Sequence, residues 1–222
     1  KYDIYRKLTH LGVLGIIFFY FTLDFFIQNS LSDNIMVFAQ NLVNFLVSVS
    51  LIGLLTADLT RILMPKYYPL KPVNQLLKEK ELHMRLGPHI SMSIGCFSII
   101  LLFGLIQPIG PVIICTSMIM AIFGDIASNL IGRTLGKRKI RTTNKTYEGL
   151  IGGISVAFIS GLIILLLLKD FYRPENYGLI YIPILGALMM GIIDYLDLEI
   201  DDNLSYNFIL ATVLFFLSIL LF

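Results

Sequence analysis

A carboxylate and an amide lie one helical turn apart inside an apolar stretch of this sequence. Asp125 is followed by Asn129, Gly132 and Gly136, at offsets of 4, 7 and 11 residues that fall on one face of a helix. An ionised group inside a membrane span costs at least ~2.5–3.5 kcal/mol and usually faces a cavity. Oxygen ligands beside residues without side chains suit a metal ion and a closely approaching phosphate. The alternative is a close-packing stripe between helices with one interhelical hydrogen bond.

A second group of oxygen ligands follows a later apolar run. Asp201, Asp202 and Asn203 are consecutive, and Asp194 precedes Asp201 by seven residues, which puts both on one face of a helical segment. Magnesium is normally held by one or two carboxylates together with substrate phosphates. An acidic loop without a function is the alternative. It is disfavoured because residues 197–204 contain no Lys or Arg, so a cation must come from elsewhere.

A basic segment lies between the two acidic groups. Residues 132–148 contain Arg133, Lys137 and Lys145, and Thr146 and Glu148 follow where the next apolar run begins. Cationic side chains near carboxylates suit the phosphates of a nucleotide. A basic run at a membrane also sets topology or contacts lipid headgroups, and that alternative stays open.

The N-terminal residues provide further cations. Arg6 and Lys7 precede the first apolar run, and His10 follows Arg6 by four residues. Arg6 and His10 can therefore face the same cleft. We expect these residues to contact substrate or phosphate, and a purely structural hydrogen bond is the alternative for His10.

The composition indicates which elements position these groups. The 222 residues are 56% hydrophobic and 14% charged, with a mean hydropathy of +0.81. Soluble domains carry about 25% charge, so a water-soluble fold is excluded. A membrane-spanning helix needs roughly 20 apolar residues. Apolar runs lie near 11–27, 35–57, 87–107, 111–131, 149–168, 179–196 and 205–222. We predict an all-α, polytopic integral membrane protein with about seven transmembrane helices, forming a single membrane-embedded domain over residues 1–222.

Lys and Arg are distributed unevenly over the connections between these runs. Of the 17 in the chain, only Lys169 and Arg173 lie on one side of the membrane. The positive-inside bias predicts that the opposite side, with the N-terminus and all the polar groups above, faces the cytoplasm. Residues 58–86 are predicted as a cytoplasmic or interfacial segment, because apolar residues recur there at helical spacing among charges. A solvated linker is the alternative.

The polar groups occur together in a recognisable order. They are Arg6-Lys7 with His10, Asp58 with Arg61, Gly124-Asp125 with Gly132 and Gly136-Lys137, Lys145-Thr146-x-Glu148-Gly149, and Asp201-Asp202-Asn203. This order resembles the CTP-dependent lipid kinases, namely dolichol (polyprenol) kinase, CTP-dependent diacylglycerol kinase and phytol kinase. The resemblance covers nearly the whole chain. A more distant similarity links it to the phosphatidate cytidylyltransferases, whose His-Gly-Gly…Asp-Arg-x-Asp signature is absent here, which favours a kinase. The lipid kinases usually have Glu where this chain has Asp194, so the acid here is one methylene shorter.

The resemblance implies an enzyme that transfers the γ-phosphate of CTP to the hydroxyl of a membrane lipid alcohol, with Mg²⁺. The implied catalytic residues are Asp125, Asp201, Asp202 and Lys145, and the three acids are also the implied metal ligands. The implied nucleotide-binding residues are Asn129, Gly132, Arg133, Gly136, Lys137, Thr146, Glu148 and Asn203. The residues implied to contact substrate or phosphate are Arg6, Lys7, His10 and Asp194. Glu148 would fix Lys145 or read the cytosine, and Asp201 or Asp202 would also accept the alcohol proton.

The expected partners are CTP, the bilayer and a lipid alcohol, which is dolichol or another polyprenol or, alternatively, diacylglycerol or phytol. No nucleic acid is expected, and a homodimer is left open. The host membrane would be the plasma membrane in a prokaryote or the endoplasmic reticulum in a eukaryote. A transporter would need polar residues continuing to the outer side of the membrane. A structural scaffold would not need Asp125 together with the acidic pair.

Overall fold

The computed structural model describes most of the chain beyond residue 32. The described residues are 15, 33–68, 71, 88–104, 106, 109–140, 143, 145–172, 178–196 and 202–221. The first predicted span, 11–27, lies outside them except for Gly15, and so do Arg6, Lys7 and His10.

Nearly all of the described residues lie in helices. The helices are α1 Asp33–Leu63, α2 Pro88–Phe103, α3 Ile109–Thr134, α4 Tyr147–Tyr172, α5 Gly178–Leu196 and α6 Asp202–Leu221, with a 3-10 turn at Pro65–Tyr67. The described ranges contain no β-strand, only an isolated bridge between Lys139 and Thr146. The all-α prediction is therefore confirmed for this part of the chain, and the count of seven spans stays a prediction.

Several of these helices are suited to a lipid bilayer. Four segments are long and apolar enough to cross it: Asn44–Leu63, Gly110–Thr134, Tyr147–Lys169 and Gly178–Leu196. Two shorter apolar helices, Ile90–Phe103 and Tyr206–Leu220, accompany them. In hydrocarbon only helices and closed barrels satisfy their own backbone groups, which agrees with the helical architecture.

α3 is the central helix of the bundle. Of its membrane-length segment 83% is buried, against 22% for α4 and 11% for α1. It packs most extensively on α4 and also contacts α2, α5 and α6. On the far side of the bundle α2 pairs with α6, where the rings of Phe103 and Phe215 stack with centroids 4.5 Å apart. The acidic residue predicted on α3 is therefore carried by the most enclosed element.

The ends of α3 and α4 follow from local sequence. Pro111 lies in the first turn of α3, where its missing N–H costs nothing, and Arg133 lies in the last turn, near the negative end of the helix dipole. At the start of α4 the Thr146 hydroxyl accepts a hydrogen bond from the Gly149 backbone N–H at 3.2 Å. This is the geometry of an N-cap. α3 thus ends, and α4 begins, at the same end of the bundle.

α1 continues six residues past its predicted end at residue 57. The extension holds a buried ion pair in which the Arg61 guanidinium donates to both carboxylate oxygens of Asp58, at 2.7 and 3.2 Å. The i, i+3 spacing puts both residues on one helical face, so each satisfies the other and the helix is not interrupted. Tyr68, directly after the 3-10 turn, is buried. Its burial and the nearby negative charge of Asp58 raise the pKa of its hydroxyl. The interfacial helix expected further along 58–86 lies outside the described residues.

Candidate functional site

Asp125 lies within α3, nine residues before its C-terminal residue Thr134, or roughly 13 Å along the axis. Its side chain is buried, with 6% of its surface exposed. The Asn129 amide nitrogen donates to the Asp125 carboxylate and to its backbone carbonyl, each at 2.9 Å. The structure thus brings these two predicted site residues together, as their spacing predicted. The amide orients one carboxylate oxygen.

Asp194, near the end of α5, is a second buried carboxylate and is surrounded by three donors. Ser128 Oγ donates to its Oδ2 at 2.8 Å, and Tyr206 OH donates to its Oδ1 at 2.7 Å. Lys145 Nζ lies 3.1 Å from Oδ1 and 3.1 Å from the Asp194 backbone oxygen. Residues from α3, the loop before α4, α5 and α6 therefore meet at one acid.

The two buried acids belong to one region. Ser128, which binds Asp194, lies one helical turn after Asp125 and directly before Asn129. α6 begins at Asp202, and Tyr206 follows it by one turn, roughly 6 Å along the axis. The topology thus brings the start of the acidic segment to the end of the bundle that holds Asp194. Asp201, and the side chains of Asp202 and Asn203, lie outside the part that the structure describes.

The basic loop between α3 and α4 is ordered by backbone bonds and by one acid. Ile140 N–H donates to the Lys145 carbonyl at 2.9 Å, and Tyr147 N–H donates to the Arg138 carbonyl at 3.0 Å. The Glu148 carboxylate accepts from the backbone N–H groups of Lys137 and Arg138 at 3.1 and 3.2 Å.

These contacts change the interpretation of Glu148. It was expected to fix Lys145 or to read the cytosine. Its described contacts go to the backbone N–H groups of Lys137 and Arg138 and to the Arg138 guanidinium, 3.8 Å away. A role in reading the cytosine stays a prediction. Lys145 is held by Asp194 instead. The side chains of Lys137, Arg138 and Arg133 are exposed on this surface.

The glycines of the α3 stripe pack against the start of α4. A Cβ at Gly132 would lie 3.1 Å from Thr146 Oγ1. One at Gly136 would meet the Gly132 carbonyl oxygen of α3 first and would lie 2.6 Å from Thr146 Oγ1. A Cβ at Gly149 would lie 2.7 Å from the Ser128 carbonyl oxygen. The packing alternative therefore accounts for these glycines, because side chains there would push α3 and α4 apart. A nucleotide-binding role for Gly132, Gly136 and Thr146 stays a prediction.

An apolar groove of about 360 Å³ lies between α3 and α4 on the outer face of the bundle. Phe123 and Val156 line it, together with Ser160 and further aliphatic side chains. Phe123 precedes Asp125 by two residues, which is about 200° around the helix. The groove therefore faces a different direction from the carboxylate and is not part of the polar region.

A model described as the cytidylyltransferase family matches residues 5–221. The chain belongs to this cytidylyltransferase family. The family includes CTP-dependent lipid kinases and polyprenol kinases, so the resemblance is confirmed at the family level. No curated protein and no solved structure matches the chain.

A member of this family that uses Mg²⁺ must provide oxygen ligands. Among the residues that the structure describes, no three His, Cys, Asp or Glu side chains come together as a metal site. Asp125 offers one carboxylate, and magnesium needs only one or two in addition to substrate phosphates. The donor set of Asp125 with the acidic pair therefore fits this ion by number and type. The metal site stays a prediction.

Sequence reasoning missed two residues of this cytidylyltransferase-family site, Ser128 and Tyr206. Ser128 lies between Asp125 and Asn129, inside the stripe already singled out. Tyr206 is the only tyrosine of α6 and follows Asp202 by one turn. A tyrosine one turn after Asp202 on the same helix is a signal that could have identified it.

Proposed function

We propose that this chain is a CTP-dependent lipid kinase that phosphorylates the hydroxyl of a membrane lipid alcohol, most specifically dolichol or another polyprenol. The observation that carries the proposal is the grouping of Asp125 with the Lys145–Asp194 pair at one end of an apolar helical bundle. Burying an ionised carboxylate among membrane helices costs free energy, so such a group usually has a partner or faces a functional cavity. A cation and acids at that depth can meet a phosphate from one side and a lipid hydroxyl from the other.

The proposed reaction joins the alcohol oxygen to the γ-phosphorus of CTP and breaks the bond from that phosphorus to the β–γ bridging oxygen. CDP leaves, and the alcohol proton passes to a carboxylate, for which Asp201 and Asp202 are the candidates. Such transfers depend mainly on positioning and charge neutralisation. Lys145 would bind phosphate oxygens, and the exposed Arg133 and Lys137 would attract the nucleotide.

Mg²⁺ would be held by Asp125 with Asp201 and Asp202, and when bound it neutralises charge on the β- and γ-phosphates. Asn129 supports this role, because its amide fixes the Asp125 carboxylate. Asn203 would orient the nucleotide or the metal shell.

Cytidylyl transfer to a phospholipid is the second candidate, favoured by the description of the family. The sequence lacks the His-Gly-Gly…Asp-Arg-x-Asp signature of the phosphatidate cytidylyltransferases, and this supports the kinase. The two reactions differ in which phosphorus of CTP reaches the lipid. A kinase transfers the γ-phosphate, whereas a cytidylyltransferase transfers CMP and releases pyrophosphate.

The deciding experiment uses purified protein with Mg²⁺ and CTP labelled either at the α- or at the γ-phosphate. Dolichol, diacylglycerol, phytol and phosphatidate are offered separately, ATP replaces CTP in parallel, and Asp125→Asn is the inactive control. Label from γ-CTP on one alcohol supports the kinase and identifies its acceptor. Label from α-CTP on phosphatidate replaces it with cytidylyl transfer. No label on any lipid, with folded protein, refutes both enzymatic functions and favours a transporter or scaffold.

The proposed orientation puts the polar end of the bundle in the cytoplasm, in agreement with the positive-inside bias. The two native cysteines, Cys96 and Cys115, are each 1% exposed, so an introduced thiol can be labelled selectively. Lys139→Cys in the exposed loop should react with a membrane-impermeant maleimide only after cells are opened. Reaction in intact cells would reverse the orientation.

A further inference from the structure

Asp194 is held by three side chains in the described part of the polar region. Its Oδ1 accepts from Tyr206 OH at 2.7 Å and contacts Lys145 Nζ at 3.1 Å, while its Oδ2 accepts from Ser128 Oγ at 2.8 Å. An O–H···O bond to a carboxylate at such lengths is charge-assisted and stronger than a neutral one. Both carboxylate oxygens are therefore fixed by hydroxyl groups from two different helices, α3 and α6.

The fixed carboxylate in turn holds the lysine. Lys145 Nζ contacts two atoms of Asp194, the carboxylate Oδ1 and the backbone oxygen. A lysine ammonium carries three donors on a flexible four-carbon stem, so alone it has no preferred direction. Two anchors on one residue restrict where the ammonium can lie. Its position therefore depends on that of the Asp194 carboxylate.

We propose that Tyr206 and Ser128 are positioning residues that act through Asp194 to hold the Lys145 ammonium where it meets the nucleotide phosphates. The proposal rests on the proposed function and adds to it the residues that tune nucleotide affinity. Both hydroxyls donate to Asp194, so in this proposal they act on the nucleotide only through that residue and Lys145. Their loss should therefore change nucleotide binding and leave the affinity for the lipid acceptor unchanged.

The test removes one oxygen atom at a time. Tyr206→Phe and Ser128→Ala each delete a single hydroxyl and keep the rest of the side-chain volume. A hydrogen bond to a charged group corresponds to a change of roughly ten- to hundredfold in an equilibrium constant. Because the hydroxyls act on the nucleotide only through Asp194 and Lys145, we expect KM for CTP to rise by the low end of that range, about tenfold, in each variant. We expect KM for the lipid to stay within about twofold, since acceptor binding depends on groups that the variants leave in place.

Matched controls remove the same atoms elsewhere. Tyr181→Phe deletes a hydroxyl from a tyrosine on α5 that is 49% exposed. Ser155→Ala deletes an exposed hydroxyl on α4 that bonds only to the Ile151 carbonyl. Both controls should match the wild type in KM for CTP, because neither side chain contacts Asp194.

A second measurement separates positioning from mere support of the fold. In an Asp194→Ala background the acceptor of both hydroxyls is gone, so adding Tyr206→Phe should raise KM for CTP no further. Contacting residues that act as a unit give such non-additive effects. A purely structural role would instead lower the thermal stability and the active fraction and leave KM for CTP unchanged. Fully additive effects on KM would also overturn the proposal.

The dissociation constant of CTP, measured by calorimetry without an acceptor, separates this proposal from the kinase assignment. If the wild type transfers phosphate and both variants bind CTP as tightly as it does, the positioning role is overturned and the kinase assignment stands. CTP binding without transfer to any lipid refutes the kinase, and the shift of the dissociation constant then decides the positioning role alone. A wild type that does not bind CTP overturns both.

Discussion

Gly149 is the position where the packing of α3 on α4 can be tested most sharply. In Gly149→Ala the new Cβ would lie 2.7 Å from the Ser128 carbonyl oxygen and 2.9 Å from the Gly132 Cα atom. Ordinary contacts begin at 3.4 Å, so the nearer one is about 0.7 Å too short. Both neighbours are backbone atoms, which cannot rotate away as a flexible side chain can. The helices themselves must therefore separate.

Overpacking of this kind costs about 1–3 kcal/mol. For a chain of this size a loss of ~2 kcal/mol lowers Tm by about 4–8 °C. The separation also moves Ser128, which donates to Asp194 at 2.8 Å. We therefore expect KM for CTP to rise as well, because the Lys145 anchor shifts with it.

The assay is thermal unfolding of the purified protein in one detergent, with Gly53→Ala as the matched control. Nothing lies within 4 Å of a Cβ at Gly53, which is inside α1. Replacing a helix-interior glycine there should leave Tm unchanged or raise it slightly, since alanine favours the helix by roughly 0.5–1 kcal/mol. A Gly149→Ala protein as stable as the Gly53→Ala protein would refute the close approach of the two helices.

Three further predictions follow from the described contacts. Asp125→Asn should abolish label transfer with Tm unchanged, because the asparagine oxygen can still accept from the Asn129 amide; retained activity would remove Asp125 from the metal site. Glu148→Gln should speed tryptic cleavage of the loop after residue 136, since the charge that binds two backbone N–H groups is lost, and an unchanged cleavage rate would contradict this. Arg61→Met should destabilise the protein by about 3–5 kcal/mol by leaving the Asp58 carboxylate buried without this partner, and adding Asp58→Asn should restore most of the loss. Equal stability of the single and double variants would count against a buried pair.

The sequence predicted the local features of the site well. The positions of the apolar helices agree with α1 to α6 to within a few residues, apart from the longer end of α1. The bond between Asp125 and Asn129 follows from the i, i+4 spacing, because helix geometry alone brings these side chains together. The family membership also follows from the order of the polar motifs.

The glycines show where a local pattern had two meanings. The spacing predicted that Gly132 and Gly136 share the helical face of Asp125, which was consistent with both a phosphate site and close helix packing. In the structure α3 ends at Thr134, so only Gly132 lies on that face and Gly136 follows the helix end. Only the position of Thr146 and Gly149 across the helix pair favours packing. A glycine is typical of both, because a residue without a side chain lets either a phosphate or a neighbouring helix backbone approach closely.

The pairing of Lys145 with Asp194 could not be derived from the sequence. The two residues are 49 positions apart, and Ser128 and Asp194 are 66 apart. Sequence reasoning assigned Lys145 to phosphate and Asp194 to substrate or phosphate contact, and both roles stay predictions. It did not predict that the two residues pair with each other, as the structure shows. Which residues meet across helices depends on how each helix is rotated about its axis.

The sequence by itself determined the helical architecture and the Asp125–Asn129 pair. It also predicted that the charged residues gather at one side of the membrane. The tertiary structure alone decided that Ser128, Lys145 and Tyr206 converge on Asp194. The physical reason is that backbone hydrogen bonding fixes spacing along a helix for any sequence. The rotation of each helix about its axis in a membrane is set instead by close packing and interhelical hydrogen bonds. Because lipid and the protein interior are equally apolar, the hydrophobic pattern of the sequence does not show which face of a helix is buried.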